Sequence, residues 1–184
     1  MQYKLTTPCT AEDLAPLKAG DTVLLSGVVY TARDQAHKRM LEALDKGEKL
    51  PFDLEGSAIY YVGPTPERPG EIIGSAGPTT SGRMDAMSPR LLDLGNKIMI
   101  GKGKRDAAVK EAVVRNGAVY LAALGGAGAL MAQSVKTLEV IAWPDLGCEA
   151  VRRLTVEQMP LTVILDAHGG DLYLSGPEAY RASR

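Results

Sequence analysis

Aromatic side chains are scarce: the 184 residues include one Trp, one Phe and seven Tyr. A core short of Phe and Trp has to be built from Val, Ile, Leu, Ala and Met, and such a core suits layered α/β packing. An excess of one charge sign is also missing, since 21 Lys and Arg stand against 22 Asp and Glu, a formal net charge of −1. That excludes a global basic field able to draw nucleic acid or an anionic membrane by long-range attraction, so any anion binding has to be local. Cysteine is limited to Cys9 and Cys148, far apart and outside any Cys-x-x-Cys spacing. Neither a zinc site nor a cluster-binding motif can be built from this chain alone, and the two read as buried or free thiols. Long hydrophobic runs are absent as well. The longest uncharged apolar stretch, Gly117 to Ala132, falls short of the roughly 20 residues a membrane-spanning helix needs and contains Gly125, Gly126 and Gly128. The start, Met1 to Pro8, has no basic patch followed by an apolar stretch, so no secretory signal is read and the cytoplasm is the expected compartment.

What is present fits a folded chain of 45% apolar and 23% charged residues, long enough for one domain spanning 1–184. Thr10 and Asp13 frame a capping-box pattern with Asp in place of Glu, which starts a short helix to about Leu17. Thr22 to Tyr30 is rich in Val and Leu and reads as a buried strand. From Asp34 to Lys46, the residues Ala36, Met40, Leu41 and Leu44 recur at helical spacing, and Gly47 is placed to end that helix. Ser57 to Val62 is a second strand, followed by a turn-rich loop from Gly63 to Gly70. Gly77 to Arg83 leads into a helix that ends near Gly95 and restarts at Ser88-Pro89, where proline fits a first helical turn. Lys97 to Ile100 is a short strand, Asp106 to about Arg115 a helix, Ala118 to Leu124 a strand, and a further helix lies near Leu130. The last third reads as strands Leu138 to Trp143, Ala150 to Val156 and Leu161 to Asp166, with His168 to Asp171 turning a hairpin into Leu172-Tyr173-Leu174. The sum is a mixed α/β sheet layered with helices, without internal repeats.

Three loops that follow expected strands each offer a cation or a hydroxyl: those bearing Arg33, the Thr79 to Arg83 segment, and Lys102. Loops at strand ends converge on ligands in α/β sheets, so these three are expected to face one pocket. In Gly77-Pro78-Thr79-Thr80-Ser81-Gly82-Arg83, glycines, a rigid proline and three hydroxyls can expose backbone N–H groups to a carboxylate or phosphate. The same residues also read as one hydroxyl capping a helix, with Arg83 in solvent. Gly101-Lys102-Gly103-Lys104-Arg105 either brings backbone close to a ligand with Lys102 as a point charge or forms a basic turn at a strand end; it lacks the phosphate-loop pattern, which argues against a nucleoside triphosphate. Gly125-Gly126-Ala127-Gly128 fails the dinucleotide fingerprint because Met131 stands at the third glycine position, and reads as loop packing. His37 and His168 have no partner at ligand or triad spacing and read as structural, with support of Arg33 the alternative for His37. Carboxylates are too scattered for an acid–base pair to be chosen.

The run Ala76-Gly77-Pro78-Thr79-Thr80-Ser81-Gly82-Arg83-Met84-Asp85 resembles the signature of the C-terminal region of class I iron–sulfur fumarate hydratases and of the related tartrate dehydratase beta subunits. Thr31-Ala32-Arg33-Asp34-Gln35-Ala36-His37, Ile59-Tyr60-Tyr61-Val62-Gly63-Pro64, Gly101-Lys102-Gly103 and Trp143-Pro144-Asp145-Leu146-Gly147 resemble the same family in the same order, so nearly the whole chain is covered. The resemblance implies a single domain of the swivelling β/β/α type. It implies the beta subunit of a hydro-lyase that reversibly hydrates fumarate to (S)-malate, a step of the tricarboxylic acid cycle. It further implies a [4Fe–4S] cluster held by the cysteines of a separate alpha subunit, whose open iron acts as a Lewis acid on the substrate hydroxyl, and an α2β2 assembly; no metal ligand is expected in this chain. By motif, Arg33, Arg83 and Lys102 match the cations that bind the substrate carboxylates, and Thr79 the acid–base hydroxyl, with Thr80 beside it. Gly82-Arg83-Met84-Asp85 and Gly103-Lys104-Arg105 are more similar to the fumarase pattern. An L(+)-tartrate dehydratase beta subunit and a non-catalytic carboxylate-binding partner domain are the two other readings.

Overall fold

Strands that are apolar at consecutive positions need cover on both faces, and the fold supplies it by closing the sheet on itself. The computed structural model describes residues 1–123 and 126–182. The strands among them are β1 Gln2–Thr6, β2 Thr22–Thr31, β3 Ala58–Tyr60, β4 Ile98–Gly101, β5 Val119–Ala122, β6 Val135–Ala142 and β7 Val151–Leu165. The α-helices are α1 Ala11–Leu14, α2 Asp34–Asp45, α3 Ser88–Asp93, α4 Ala107–Arg115, α5 Gly128–Gln133 and α6 Leu172–Ala182. The order is β1-β2-β3-β4-β5-β7-β6, with β1 to β5 parallel. β7 runs antiparallel to β5 and β6, and also to β2. The expected mixed α/β sheet is therefore present, closed into a five-stranded barrel of β2, β3, β4, β5 and β7, with helices packed outside it.

Alternation within each strand then divides the apolar residues into two cores. Ala58 and Tyr60, Ile98 and Ile100, Val119 and Leu121 join residues of β2 and β7 in a cluster that draws on every barrel strand and on none of α2, α3 and α4. This is the barrel interior. Their neighbours Ile59, Met99 and Tyr120 face the other way, against Ala36 and Met40 of α2, Leu91 and Leu92 of α3, and Val109 and Ala112 of α4. Tyr30 stacks on Phe52 at the edge of this outer layer, ring centroids 3.9 Å apart.

Local signals explain most of the elements. The Thr10 capping box forms as expected, Asp13 N–H donating to Thr10 Oγ1 and Thr10 N–H to the Asp13 carboxylate, although α1 stops at Leu14, just ahead of Pro16. Asp106 caps α4 through the Val109 N–H. Two expectations are corrected. The two strands expected at Ala150 to Val156 and Leu161 to Asp166 are one strand, β7: Gln158 adopts φ +48, its N–H donates to Ser26 Oγ, and the register against β2 shifts between Leu25 and Gly27. A bulge bends the strand there without ending it. Leu172-Tyr173-Leu174 is not a hairpin strand but the first turn of α6. Asp171 starts that helix, its carboxylate accepting from Tyr173 N–H and its carbonyl from the N–H groups of Leu174 and Ser175, an N-cap role that the apolar alternation obscured. The helix expected after Gly77 to Arg83 opens as a 3-10 turn at Ser81–Met84 behind an extended Thr80 and restarts at Ser88-Pro89 as α3, as expected. Leu124, expected in β5, and Gly125 of the expected loop lie outside the described residues. Among the described residues no helix is long and apolar enough to cross a membrane.

Candidate active site

Because β2, β3 and β4 are parallel, the segments that follow them emerge on one rim of the barrel. Arg33 stands two residues beyond β2 and is the residue from which α2 starts. The chain beyond β3 loops out and returns: Val62 pairs with Pro78, and Thr80 pairs with Lys102 just past β4. Thr79 N–H donates to the Tyr61 carbonyl (2.8 Å) and Ser81 N–H to the Lys102 carbonyl (2.9 Å). Lys102 N–H in turn donates to Ser81 Oγ (3.0 Å). This approach requires glycine at 101, where a Cβ would stand 1.9 Å from Ser81 Oγ. The expected capping role of a hydroxyl is not seen, since Thr80 makes no side-chain cap bond; Ser81 instead ties its turn to the Lys102 loop.

The sequence-predicted residues are distributed over this rim as follows. Arg33 Nη2 lies 3.4 Å from Asp34 Oδ2, and Arg83 Nη1 lies 3.9 Å from the same oxygen. One carboxylate thus stands between both guanidinium groups. Arg33 Nε lies 3.4 Å from Glu149 Oε1, yet both atoms are buried without a hydrogen bond among the described residues. The opposed charges attract, but the geometry of a bond is not met. Arg83 is more open, its side chain 55% exposed against 21% for Arg33. The Lys102 ammonium and the hydroxyls of Thr79 and Thr80 have no hydrogen-bond or ion-pair partner among the described residues. All four predicted residues therefore lie on the rim, Arg33 and Arg83 joined through Asp34, and the Thr79 to Arg83 segment joined to Lys102 through the backbone. A cleft of 630 Å³ lies between segment 65–75 and α5, and another of 430 Å³ beside β6; neither is lined by these residues.

Beneath the rim lies a charged layer that sequence reasoning missed. Arg105 is fully buried and donates from Nε to Asp85 Oδ1 (2.6 Å) and from Nη2 to Ser88 Oγ (2.9 Å). Its guanidinium lies 5.3 Å from the Tyr61 ring centroid and 5.0 Å from that of Tyr120. Burial opposes its charge, and Tyr61, Asp85 and Tyr120 outweigh that opposition, so the group is held charged. Asp34, Asp85 and Arg105 stand inside the recognised runs without a role of their own having been read for them, and Glu149 lies two residues beyond the run that ends at Gly147.

His37 is also completely buried. The Arg33 carbonyl accepts its backbone N–H (2.8 Å) and lies 3.0 Å from its Nδ1. The carbonyl can only accept, so Nδ1 carries the proton and Nε2, without a partner among the described residues, is the lone-pair nitrogen. Burial takes this imidazole down to about 4, against the pull of the Arg33 carbonyl and with the Arg105 charge adding to the depression. His37 is thus a neutral support for the backbone of Arg33. His168 bonds the Ala15 carbonyl through Nε2 at 2.7 Å, a structural tie between α1 and the segment before α6.

A resident metal or cluster does not fit the described residues: they include no group of three or more His, Cys, Asp and Glu placed to hold an ion. Cys9 is buried, donates to the Thr6 carbonyl, and its thiol is pushed up to about 11 by burial and the Asp13 charge. Cys148 is exposed.

Arg33, Arg83, Lys102 and Thr79 thus lie on the strand-end rim of a single α/β domain whose mixed sheet closes into a barrel. Residues 1–176 match the family model described as Fumarase C-terminus, and the chain belongs to that family. It is 37% identical over 164 residues to the aerobic class I fumarate hydratase of Salmonella typhimurium, covering 88% of this chain and 28% of the relative. It is 42% identical over 170 residues to a Methanocaldococcus jannaschii protein provisionally named an L(+)-tartrate dehydratase beta subunit, covering 89% of this chain and 87% of the relative. It is 32% identical over 189 residues to the Escherichia coli L(+)-tartrate dehydratase subunit beta, covering all of this chain and 92% of the relative. The chain spans under a third of the length of the curated fumarate hydratases it matches.

Proposed function

We propose that this chain is the beta subunit of a class I type fumarate hydratase, supplying the carboxylate-binding half of an active site that an alpha subunit completes. The observation that carries the reading is the pairing of Arg33 with Arg83 across Asp34 on the same rim that holds Lys102 and Thr79. Fumarate and malate bear two carboxylates, and planar guanidinium forks grip a carboxylate through two parallel N–H···O bonds. When the C3 proton leaves malate, charge builds on the adjoining carboxylate as an aci-form, and cations gathered on the rim stabilise it. Lys102, without an ion partner of its own among the described residues, adds a point charge beside the residue that follows Thr79. The Thr79 hydroxyl is the group assigned to move the proton, and with no hydrogen-bond partner among the described residues it can turn toward substrate.

In this reading the [4Fe–4S] cluster belongs to the alpha subunit and supplies Lewis-acid polarisation of the substrate hydroxyl. The chain's own residues bind, orient and exchange a proton. The barrel with its outer helices is then that family's swivelling β/β/α domain, the complex a cytoplasmic α2β2 hetero-oligomer. The presence of all three cations favours an enzyme over a non-catalytic carboxylate-binding partner domain. L(+)-tartrate is the competing substrate, given the two beta subunits among the relatives; the fumarase-like runs at 82–85 and 103–105 favour fumarate. Anaerobic co-expression with the cluster-bearing chain, followed by assays of fumarate and mesaconate hydration and of tartrate dehydration, decides this. Turnover of fumarate is expected; turnover of tartrate with none of fumarate would overturn the substrate assignment.

A further inference from the structure

Arg105 takes no part in the steps above, and its burial is unusual. A charged pair removed from water gains little net stability, and hydrocarbon of the same volume often serves as well or better. What the pair supplies and hydrocarbon cannot is direction. Asp85 lies two residues after Arg83, and Arg105 three after Lys102. The Asp85 carboxylate uses both oxygens on the Lys102 side, taking Arg105 Nε on Oδ1 and the Asp106 N–H on Oδ2 at 2.7 Å. Ser88 accepts from Arg105 Nη2 and donates to the Met84 carbonyl (2.9 Å), so the grip extends over the whole turn that carries Arg83. Tyr120 closes the layer, its hydroxyl 2.9 Å from both Ser81 Oγ and the Gly103 carbonyl. The two loops are thus tied at the surface by backbone pairing and underneath by one guanidinium with fixed contacts.

Resting on the hydro-lyase reading, we propose that Arg105 is a positioning residue that sets the separation between Arg83 and Lys102, and so matches the rim to a short dicarboxylate. It does so without touching substrate. Planarity matters: Lys at 105 keeps the charge but has no fork to hold Asp85 and Ser88 together. Loss of the brace should let the two cations drift, weakening ligands that need both far more than ligands that need one.

Two measurements test this. In the full chain alone, Arg105→Lys should raise hydrogen exchange about tenfold at the Ser81, Lys102 and Asp106 amides while leaving those of β7 unchanged. Unchanged exchange at the three amides, or a rise spread evenly through β7, would overturn the brace. In the complex with the alpha subunit, the same variant should weaken inhibition by succinate about tenfold more than inhibition by propionate, a ratio that a mere loss of folded enzyme cannot move. An unaltered ratio would refute the positioning role. Asp85→Asn, close in shape, is expected to give the same pattern and serves where Arg105→Lys does not fold. If the unsubstituted complex hydrates neither fumarate nor any related acid, the hydro-lyase reading fails, and the exchange measurement still decides the brace.

Discussion

Acidification from about pH 7.5 to about pH 5 should withdraw roughly 2 kcal/mol of stability through His37 alone. Its imidazole is completely buried and titrates near 4 in the folded chain against an ordinary 6.5. The folded value is the depressed one, so the unfolded chain takes up the proton first. Stability is fully present above 6.5, falls by about 1.4 kcal/mol per pH unit between the two values, and levels off below about 4. Over that whole window the loss approaches about 3 kcal/mol. The perturbation is His37→Gln, which removes the titration while leaving the backbone N–H bond to the Arg33 carbonyl. Urea unfolding of both proteins across this pH range, at constant ionic strength, provides the assay. All other groups are common to both proteins and cancel in the difference. The gap between the two stability curves should narrow on acidification by the amount stated. Parallel curves would refute the buried, neutral imidazole and with it the account of how Arg33 is supported.

Gly101→Ala should destabilise the fold by about 3 kcal/mol through overpacking, since its Cβ would meet Ser81 Oγ; Ser81→Ala in the same chain should recover part of the loss in thermal unfolding. Arg83→Lys in the complete enzyme should lower kcat/KM by about a hundredfold because the planar fork is lost, and full activity in that variant would remove Arg83 from the site. Thr79→Val should reduce kcat strongly, by about a hundredfold or more, while Thr80→Val changes it little; the reverse order would move the acid–base role to Thr80. Glu149→Gln removes the charge facing Arg33 Nε and should raise KM several-fold with a smaller change in kcat, because Arg33 loses a fixed neighbour and none of its own donors.

Periodicity made the local elements legible. β2 and α2 follow from Val-Leu density and from Ala36, Met40 and Leu44 at helical spacing. Parallel strands then place Arg33, Arg83 and Lys102 on one rim, so the candidate site follows once the strands are known. Barrel closure does not follow, because β2 meets β7 across more than a hundred residues and no short-range pattern encodes that pairing. The same distance hides Glu149 beside Arg33. Arg105 was illegible for a different reason: a buried arginine in a Gly-Lys-rich loop looks like surface charge until Tyr61, Tyr120 and Asp85 are known to surround it. α6 was misread because three alternating residues outweighed Asp171, whose carboxylate was the true signal for a helix start.

The central claim is that this chain holds half of a hydro-lyase site. The most direct test purifies it anaerobically with and without a cluster-bearing alpha subunit and follows fumarate absorbance. The account predicts hydration by the complex, its loss in the complex carrying Arg33→Ala, and no activity from the chain alone. Fumarate hydration by the iron-free chain, or a complex indifferent to the loss of Arg33, would contradict it.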